Sequence, residues 1–291
     1  MDRLPRAMAA ELGDRVRYGA RVTAVEQKTA SVVVHYRTVG GNFAETADAA
    51  VMTVPFPILR HIPITPPLSA GKRKAIRELH YDGATKIFLQ FRRRFWETDE
   101  GIRGGRSVTD LPVRNVHYPS PCDGCGHGAT GRGVLLASYT WGADSRRWTS
   151  LPEAERVARA LDNVAELHGP AIRELFEAGA SKSWDDDEFA GGAYALFQPG
   201  QQTTLHDDIA GPEGRLHFAG EHTTLQHAWV EGAVESGLRA AEEIHLTAVG
   251  SGRDRPATPT ASIRPVPGLV NGPGPKALVK SIRLAKRTRR V

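Results

Sequence analysis

One stretch constrains this chain more than any other: a short strand-like run that passes through a glycine-bearing loop into a long helix of small and apolar residues. Arg215-Leu216-His217-Phe218-Ala219 reads as the strand, Gly220-Glu221-His222-Thr223 as the loop leaving it, and about Trp229 to Leu246 as the helix. Val230, Ala233, Val234, Gly237, Leu238, Ala241 and Ile244 recur at helical spacing and define one continuous face. Gly232 and Gly237 are poor helix formers, so their place inside the helix predicts a close backbone approach. Glu231 and Glu235 put negative charge at the helix start, and Glu235 can pair with Arg239 one turn on. On these residues alone the plain reading is an amphipathic helix packed on a sheet.

The N-terminal part reads differently. Leu4 to Leu12 is a short helix ending at Gly13, and strand-like pieces follow at Val16–Tyr18, Arg21–Glu26, Ser31–Arg37 and, after the Gly40-Gly41-Asn42 turn, Ala44–Val54. This is a β-meander and not a βαβ unit, and no Gly-x-Gly-x-x-Gly follows any strand in the first hundred residues. Beyond the proline-rich run from Pro55 to Pro67, the pattern predicts a helix over Ser69–Leu79 and strands over Thr85–Phe91 and Val134–Tyr139. Alternation places Ile87, Leu89 and Phe91 on one face of the first of these strands, and Lys86, Phe88 and Gln90 on the other. Pro152–His168 is an amphipathic helix with Val157, Leu161, Val164 and Leu167 on one stripe. An irregular segment runs from Gly191-Gly192 to Gly214.

A length of 291 residues, with 40% hydrophobic and 24% charged residues, fits a globular protein with a sizeable core. No apolar run reaches the length of a membrane span, and no apolar leader follows Met1, so a cytoplasmic location is expected. The net charge of +5 is a property of the tail. Residues 247–291 hold ten Lys or Arg against one acid, a balance of +9, which leaves −4 for residues 1–246. The basicity therefore does not indicate a nucleic-acid-binding fold, and the Pro/Gly-rich tail is expected to be disordered. Cys122 and Cys125 form a single CxxC without a second pair, so a surface loop with free thiols is favoured over a zinc site.

Phe218-Ala219-Gly220-Glu221-His222-Thr223, followed by His227-Ala228-Trp229-Val230-Glu231-Gly232-Ala233-Val234-Glu235-Ser236-Gly237, resembles the closing motif of flavin amine oxidases. The His-Ala-Trp-Val-Glu-Gly variant is similar to L-amino-acid oxidases in particular. The resemblance extends over residues 1–246 and implies FAD contacts from Val22, Gly220, Glu221, Ala228, Trp229 and Val230. In that family the helix N-terminus faces the flavin, where free N–H groups and the positive dipole end stabilise charge on the reduced ring. The resemblance implies that Lys86 holds a water at flavin N5, and that Tyr194 and Trp229 form an aromatic cage for the substrate amine. Some relatives bond FAD to a cysteine at the place of Ala193, so noncovalent FAD is implied here. Tyr139 is similar to a tyrosine that binds the substrate carboxylate, while strand alternation alone leaves a core-facing residue at that position as an equal reading. His222 and His227 qualify as bases only by proximity, and histidines of such motifs are more often structural.

The resemblance implies an α/β fold with α+β elements, in which the FAD-linked oxidase architecture is incomplete. Residues 1–54 and 208–246 would belong to the FAD-binding domain, 55–207 to a mixed-sheet substrate domain, and 247–291 to the basic tail. The expected reaction is oxidation of L-amino acids by oxygen to 2-oxo acids, ammonia and hydrogen peroxide, with a separate N-terminal half supplying the dinucleotide-binding strands. A noncatalytic remnant and a monoamine or polyamine oxidase fragment are the alternatives. No nucleic acid and no membrane span enter either picture.

Overall fold

Two apolar cores form on two separate groups of strands, and the site lies where those groups meet. The computed structural model describes residues 2–120, 131–250 and 264–265. Helix α1 (Arg3–Leu12) leads into strands β1 (Arg21–Gln27), β2 (Val32–Thr38), β3 (Gly41–Ala47) and β4 (Ala50–Met52), then α2 (Phe56–Leu59), β5 (Ile64–Thr65) and α3 (Ala70–Glu78). The middle of the chain gives β6 (Tyr81–Asp82), β7 (Ala84–Phe91), α4 (Phe95–Thr98), β8 (Arg106–Val108), β9 (Asn115–His117), β10 (Gly133–Trp141), α5 (Gly142–Thr149) and α6 (Glu153–His168). It ends with β11 (Phe176–Ser183), β12 (Tyr194–Ala195), α7 (Gln201–Ala210), β13 (Leu216–Phe218) and α8 (Val230–Gly250).

The first core sits on an antiparallel sheet of order β11-β7-β10-β9-β8. The expected alternation holds: Ile87, Leu89 and Phe91 are fully buried, whereas Lys86 and Gln90 are half-buried and Phe88 is exposed. Helix α6 covers the buried face with Ala160, Val164 and Ala165. It approaches so closely that a Cβ on Gly179 of β11 would lie 2.4 Å from Val157. Leu167, expected on the same stripe, is 39% exposed, because the buried face of α6 runs through Arg156, Ala160, Val164 and Ala165 instead. Arg156 turns inward to donate to the carbonyls of Trp148 and Leu151 at 2.8 Å, closing the end of α5.

The second core gathers Met52, Phe56, Leu59, Ile76, Leu205, Leu216 and Phe218 around β4, β13 and the helices α2, α3 and α7. β4 and β13 pair in parallel as a two-stranded unit, Ala50 with Leu216 through Met52 with Phe218. Beside them lies a sheet of order β3-β2-β1-β5, with Arg264-Pro265 joining β3.

Several expected elements change. Val16–Tyr18 is not a strand: a 3-10 turn at Gly13–Arg15 precedes a loop in which Tyr18 is 78% exposed. Ala44–Val54 divides at Asp48-Ala49, so β3 stays in the antiparallel sheet while β4 departs to pair with β13. Helix α8 buries Gly232, Ser236 and Ala240, whereas Val230, Val234 and Leu238 of the expected apolar face are exposed. The same holds for Leu4, Met8 and Leu12, one stripe of α1. Apart from the pairing of Arg264-Pro265, the disorder expected for the tail and the free-thiol loop at Cys122–Cys125 lie outside the described residues. Among the described residues no helix is long and apolar enough to cross a membrane.

Candidate active site

The closing strand, loop and helix are locked together by side chains that the helical pattern alone does not reveal. Arg239 of α8 donates to the Phe218 carbonyl at 2.8 Å and to Thr223 Oγ1 at 3.2 Å, and Ser236 Oγ accepts the Gly220 amide at 2.8 Å. Gly220 adopts φ +127°, and a Cβ there would lie 2.5 Å from the His222 ring. Gly232 is needed for the close approach that the sequence predicts, since its Cβ would lie 2.4 Å from the Gln226 carbonyl, whereas Gly237, expected to do the same, is exposed with nothing within 4 Å of a Cβ. Behind β13, the buried Lys72 donates to the carbonyls of Ile209 at 2.9 Å and Gly211 at 2.7 Å, with its ammonium 3.8 Å from the Phe218 ring centroid. Desolvation lowers its pKa to about 8. His222 packs edge-on against Phe56 at 4.6 Å, its Nε2 has no partner, and burial pushes its pKa down to about 3. It is a neutral packing residue.

The second wall is the open face of the larger sheet. Lys86 and Tyr139 are direct cross-strand partners, and the Lys86 ammonium stands 4.5 Å from the Tyr139 ring centroid. A β-bulge between Leu136 and Ser138 settles the orientation of Tyr139. Ala137 and Ser138 are both buried in succession, so Tyr139 faces outward with Trp141, whose ring lies 4.3 Å away. The core-facing alternative for Tyr139 is thereby excluded.

Between the walls stands Tyr194 on β12, opposite Asp82 on β6. The Tyr194 hydroxyl donates to Asp82 Oδ2 at 3.4 Å, and burial followed by the charge of Asp82 raises its pKa to about 12. Glu221 joins this strand to the helix start. One carboxylate oxygen accepts from the Ala195 amide at 3.0 Å and the other from the Ala228 amide at 2.7 Å. These amides adjoin Tyr194 and Trp229, so one half-buried carboxylate ties together the backbone beside the two aromatic residues. Desolvation raises the Glu221 pKa, and the two amides oppose the rise. Ala228 pays for this geometry with φ +67°, a left-handed conformation that is costly for any residue but glycine.

The sequence-derived residues thus fall into linked groups. Lys86, Tyr139 and Tyr194 share one side, Gly220, Glu221, Ala228, Trp229 and Val230 the other, and Glu221 bridges them. Val22 lies apart on β1, half-buried, beside a bulge that interrupts the ladder at Thr23. Asp82 and the bridging role of Glu221 were missed, because each contact joins segments far apart in the chain. A cavity of about 290 Å³ beside Trp148 and Leu151 contains none of the predicted residues.

A flavin ring edge suits the first wall. The initial turn of the 21-residue α8 leaves amides without intrahelical acceptors, and it opens beside Trp229 (70% exposed) and Val230 (45% exposed). An open groove of about 500 Å³ runs there, lined by Leu196, Phe197, Leu225, Gln226, His227, Trp229 and Glu231. Apolar walls with a donor-rich helix end match a planar ring that bears carbonyl acceptors.

Comparison with known proteins agrees with this plan. The profile of the family described as "Flavin containing amine oxidoreductase" matches residues 1–245. A putative L-amino-acid oxidase, YobN, of Bacillus subtilis (strain 168) is 42% identical over 249 residues, covering 84% of this chain and 51% of that protein. An L-amino-acid oxidase of Mus musculus is 39% identical over 247 residues, covering 84% and 38%. Among solved structures, an A394C mutant of putrescine oxidase superposes with a TM-score of 0.72 at 23% identity, over 85% of this chain and 53% of that one, a likeness of fold. The strand–loop–helix wall and the aromatic, lysine-bearing sheet face both lie within the residues that the profile matches. The chain belongs to the flavin-containing amine oxidoreductase family. It spans about half the length of the relatives it matches, or less, and the incomplete oxidase fold expected from the sequence accords with that coverage.

Proposed function

We propose that this chain is the C-terminal portion of an FAD-dependent L-amino-acid oxidase that oxidises L-amino acids, with oxygen and water, to 2-oxo acids, ammonia and hydrogen peroxide. The observation that carries the proposal is the Glu221 bridge, which holds Tyr194 and Trp229 in a fixed relation beside Lys86 and Tyr139. Tyr194 and Trp229 flank the substrate amine and exclude water from it, which favours the neutral amine needed for hydride loss. Tyr139 donates its hydroxyl to the substrate carboxylate, and Lys86 orders a water on the reacting side. Gly220, Ala228, Trp229 and Val230 hold the flavin edge, and Val22 contacts the nucleotide end. Because the Glu221 carboxylate is engaged by two amides, its contact to the cofactor is through its backbone. FAD held against these residues would supply the hydride acceptor for the substrate Cα and the route by which electrons reach oxygen. Ala193 offers no thiol for a covalent link, so FAD is held noncovalently.

A flavin-binding half completes the enzyme. Its support is the uncovered apolar surface of Val234 (38% exposed) and Leu238 (69% exposed) on α8, and the isolated parallel pair β4–β13. Coexpression of the chain with the flavin-binding half that its relatives carry is the direct test. A yellow complex that releases peroxide from L- but not D-amino acids is expected. A colourless complex, or one that oxidises amines without a carboxylate in preference, overturns the reading.

A further inference from the structure

We propose that the site selects an amino acid whose side chain ends in a carboxylate. This rests on the oxidase reading above and adds a substrate class to it. The open face of the larger sheet carries a row of cationic and aromatic groups. Lys86 stands over Tyr139, the His117 ring lies 6.2 Å from the Tyr139 ring, and Arg106 is the cross-strand partner of His117. Direct partners in an antiparallel ladder project on one face, so Arg106 extends the row outward from His117. Among the described residues Lys86 and Arg106 form no ion pair and the His117 ring makes no hydrogen bond. Burial, then the charges of Arg106 and Lys86, hold the His117 pKa below its ordinary range, which places all three groups within electrostatic reach of one another.

The sign reverses across Tyr139. Asp82 sits at the opposite end, accepting from Tyr194, with His80 4.0 Å away. The other acids near this face are engaged: Asp187 by Lys182 at 2.5 Å, and Glu177 by Arg132 and Gln90. The site is therefore polar along its length, acidic beside the proposed amine cage and cationic beyond Tyr139. Tyr139 serves the α-carboxylate, with the water held by Lys86 beside it. His117 and Arg106 lie one and two strands further out, at about 4.8 Å per strand, on the side toward which a substrate side chain would extend from a carboxylate held at Tyr139. An apolar side chain there would leave the Arg106 guanidinium without a counter-charge and the neutral His117 ring without a hydrogen-bond partner, whereas a second carboxylate pairs with the first and accepts from the second.

The test uses the complete flavoprotein, this chain with its flavin-binding half, and follows peroxide release from L-glutamate, L-glutamine and L-leucine. The kcat/KM for L-glutamate is expected to exceed that for the isosteric L-glutamine by about ten-fold or more. Arg106→Gln and His117→Asn should each reduce the glutamate-to-glutamine ratio on the order of ten-fold or more. Arg106 is exposed at the end of a sheet, so its variant keeps the fold, and thermal unfolding checks this. Equal use of L-glutamine or L-leucine by the unaltered enzyme overturns the proposal. So does a uniform loss on all three substrates in both variants, which would assign these two residues to the α-carboxylate. If the flavin binds and none of a full set of L-amino acids is oxidised, the oxidase reading fails, and the substrate class fails with it.

Discussion

The two cores of this molecule differ in how finished they are. The sheet built on β7 and β10 has one face closed by α6, with Ile87, Leu89, Phe91 and Leu135 all at 0% exposure. The group built on β4 and β13 closes on one side through Phe56, Leu205 and Leu216. On its other side it presents the Val230, Val234 and Leu238 stripe of α8 to solvent. Helix α8 is held by polar side chains, Arg239 and Ser236, more than by its own apolar face. An apolar stripe in a sequence reports that a surface is to be covered, and the covering element need not belong to the same stretch of chain.

This contrast can be broken by substitution. Phe91→Ala in the finished core is expected to cost about 3–5 kcal/mol, equally with and without the flavin-binding half, by urea unfolding. Leu238→Ala should move the stability of the chain alone by no more than about 0.5 kcal/mol and weaken the assembled protein by about 2 kcal/mol. Equal effects of Leu238→Ala in both forms would show that α8 carries no interface. Glu221→Ala removes the acceptor of two amides and is expected to cost about 2–4 kcal/mol. Flavin retention on gel filtration should fall with it, whereas a loss of stability with flavin retention intact would separate Glu221 from the site.

Acid sharpens the comparison, because the most strongly perturbed histidine lies in the unfinished half. His222 has a folded pKa of about 3 against an ordinary value of 6.5, so the unfolded chain takes up its proton first. Its contribution is complete above pH 6.5 and declines as pH falls toward 3, by about 2 kcal/mol between pH 6.5 and 5. Hydrogen exchange should show α8 and the 220–228 loop opening on acidification before β7 and β10. In His222→Phe that difference should shrink. The smallest effect is Ala228→Gly: relief of the left-handed strain is offset by glycine's entropy, leaving a gain of up to about 1 kcal/mol in thermal unfolding.

Much of this was legible in sequence where two faces see different surroundings. The alternation of Lys86, Phe88 and Gln90 against Ile87, Leu89 and Phe91 is such a case, and so is the close approach signalled by Gly232. What stayed hidden depends on pairing over distance. The division of residues 44–54 follows from β4 finding β13, more than 160 residues on. The Glu221 bridge joins amides at Ala195 and Ala228 that no local period connects. Asp82 belongs to the site only because β6 and β12 meet.

The single inserted residue at the β10 bulge acts on the site as a frame does on a message. Upstream of Ala137 the strand alternates in one phase, and downstream in the other. Removing one residue there would restore plain alternation with Tyr139 and Trp141 still outward, whereas running the full sequence through the ladder without the bulge would turn Tyr139 and Trp141 inward and Thr140 outward. The bulge thus decides which set of side chains the downstream half of the strand presents on its open face, without altering the helices that support the sheet.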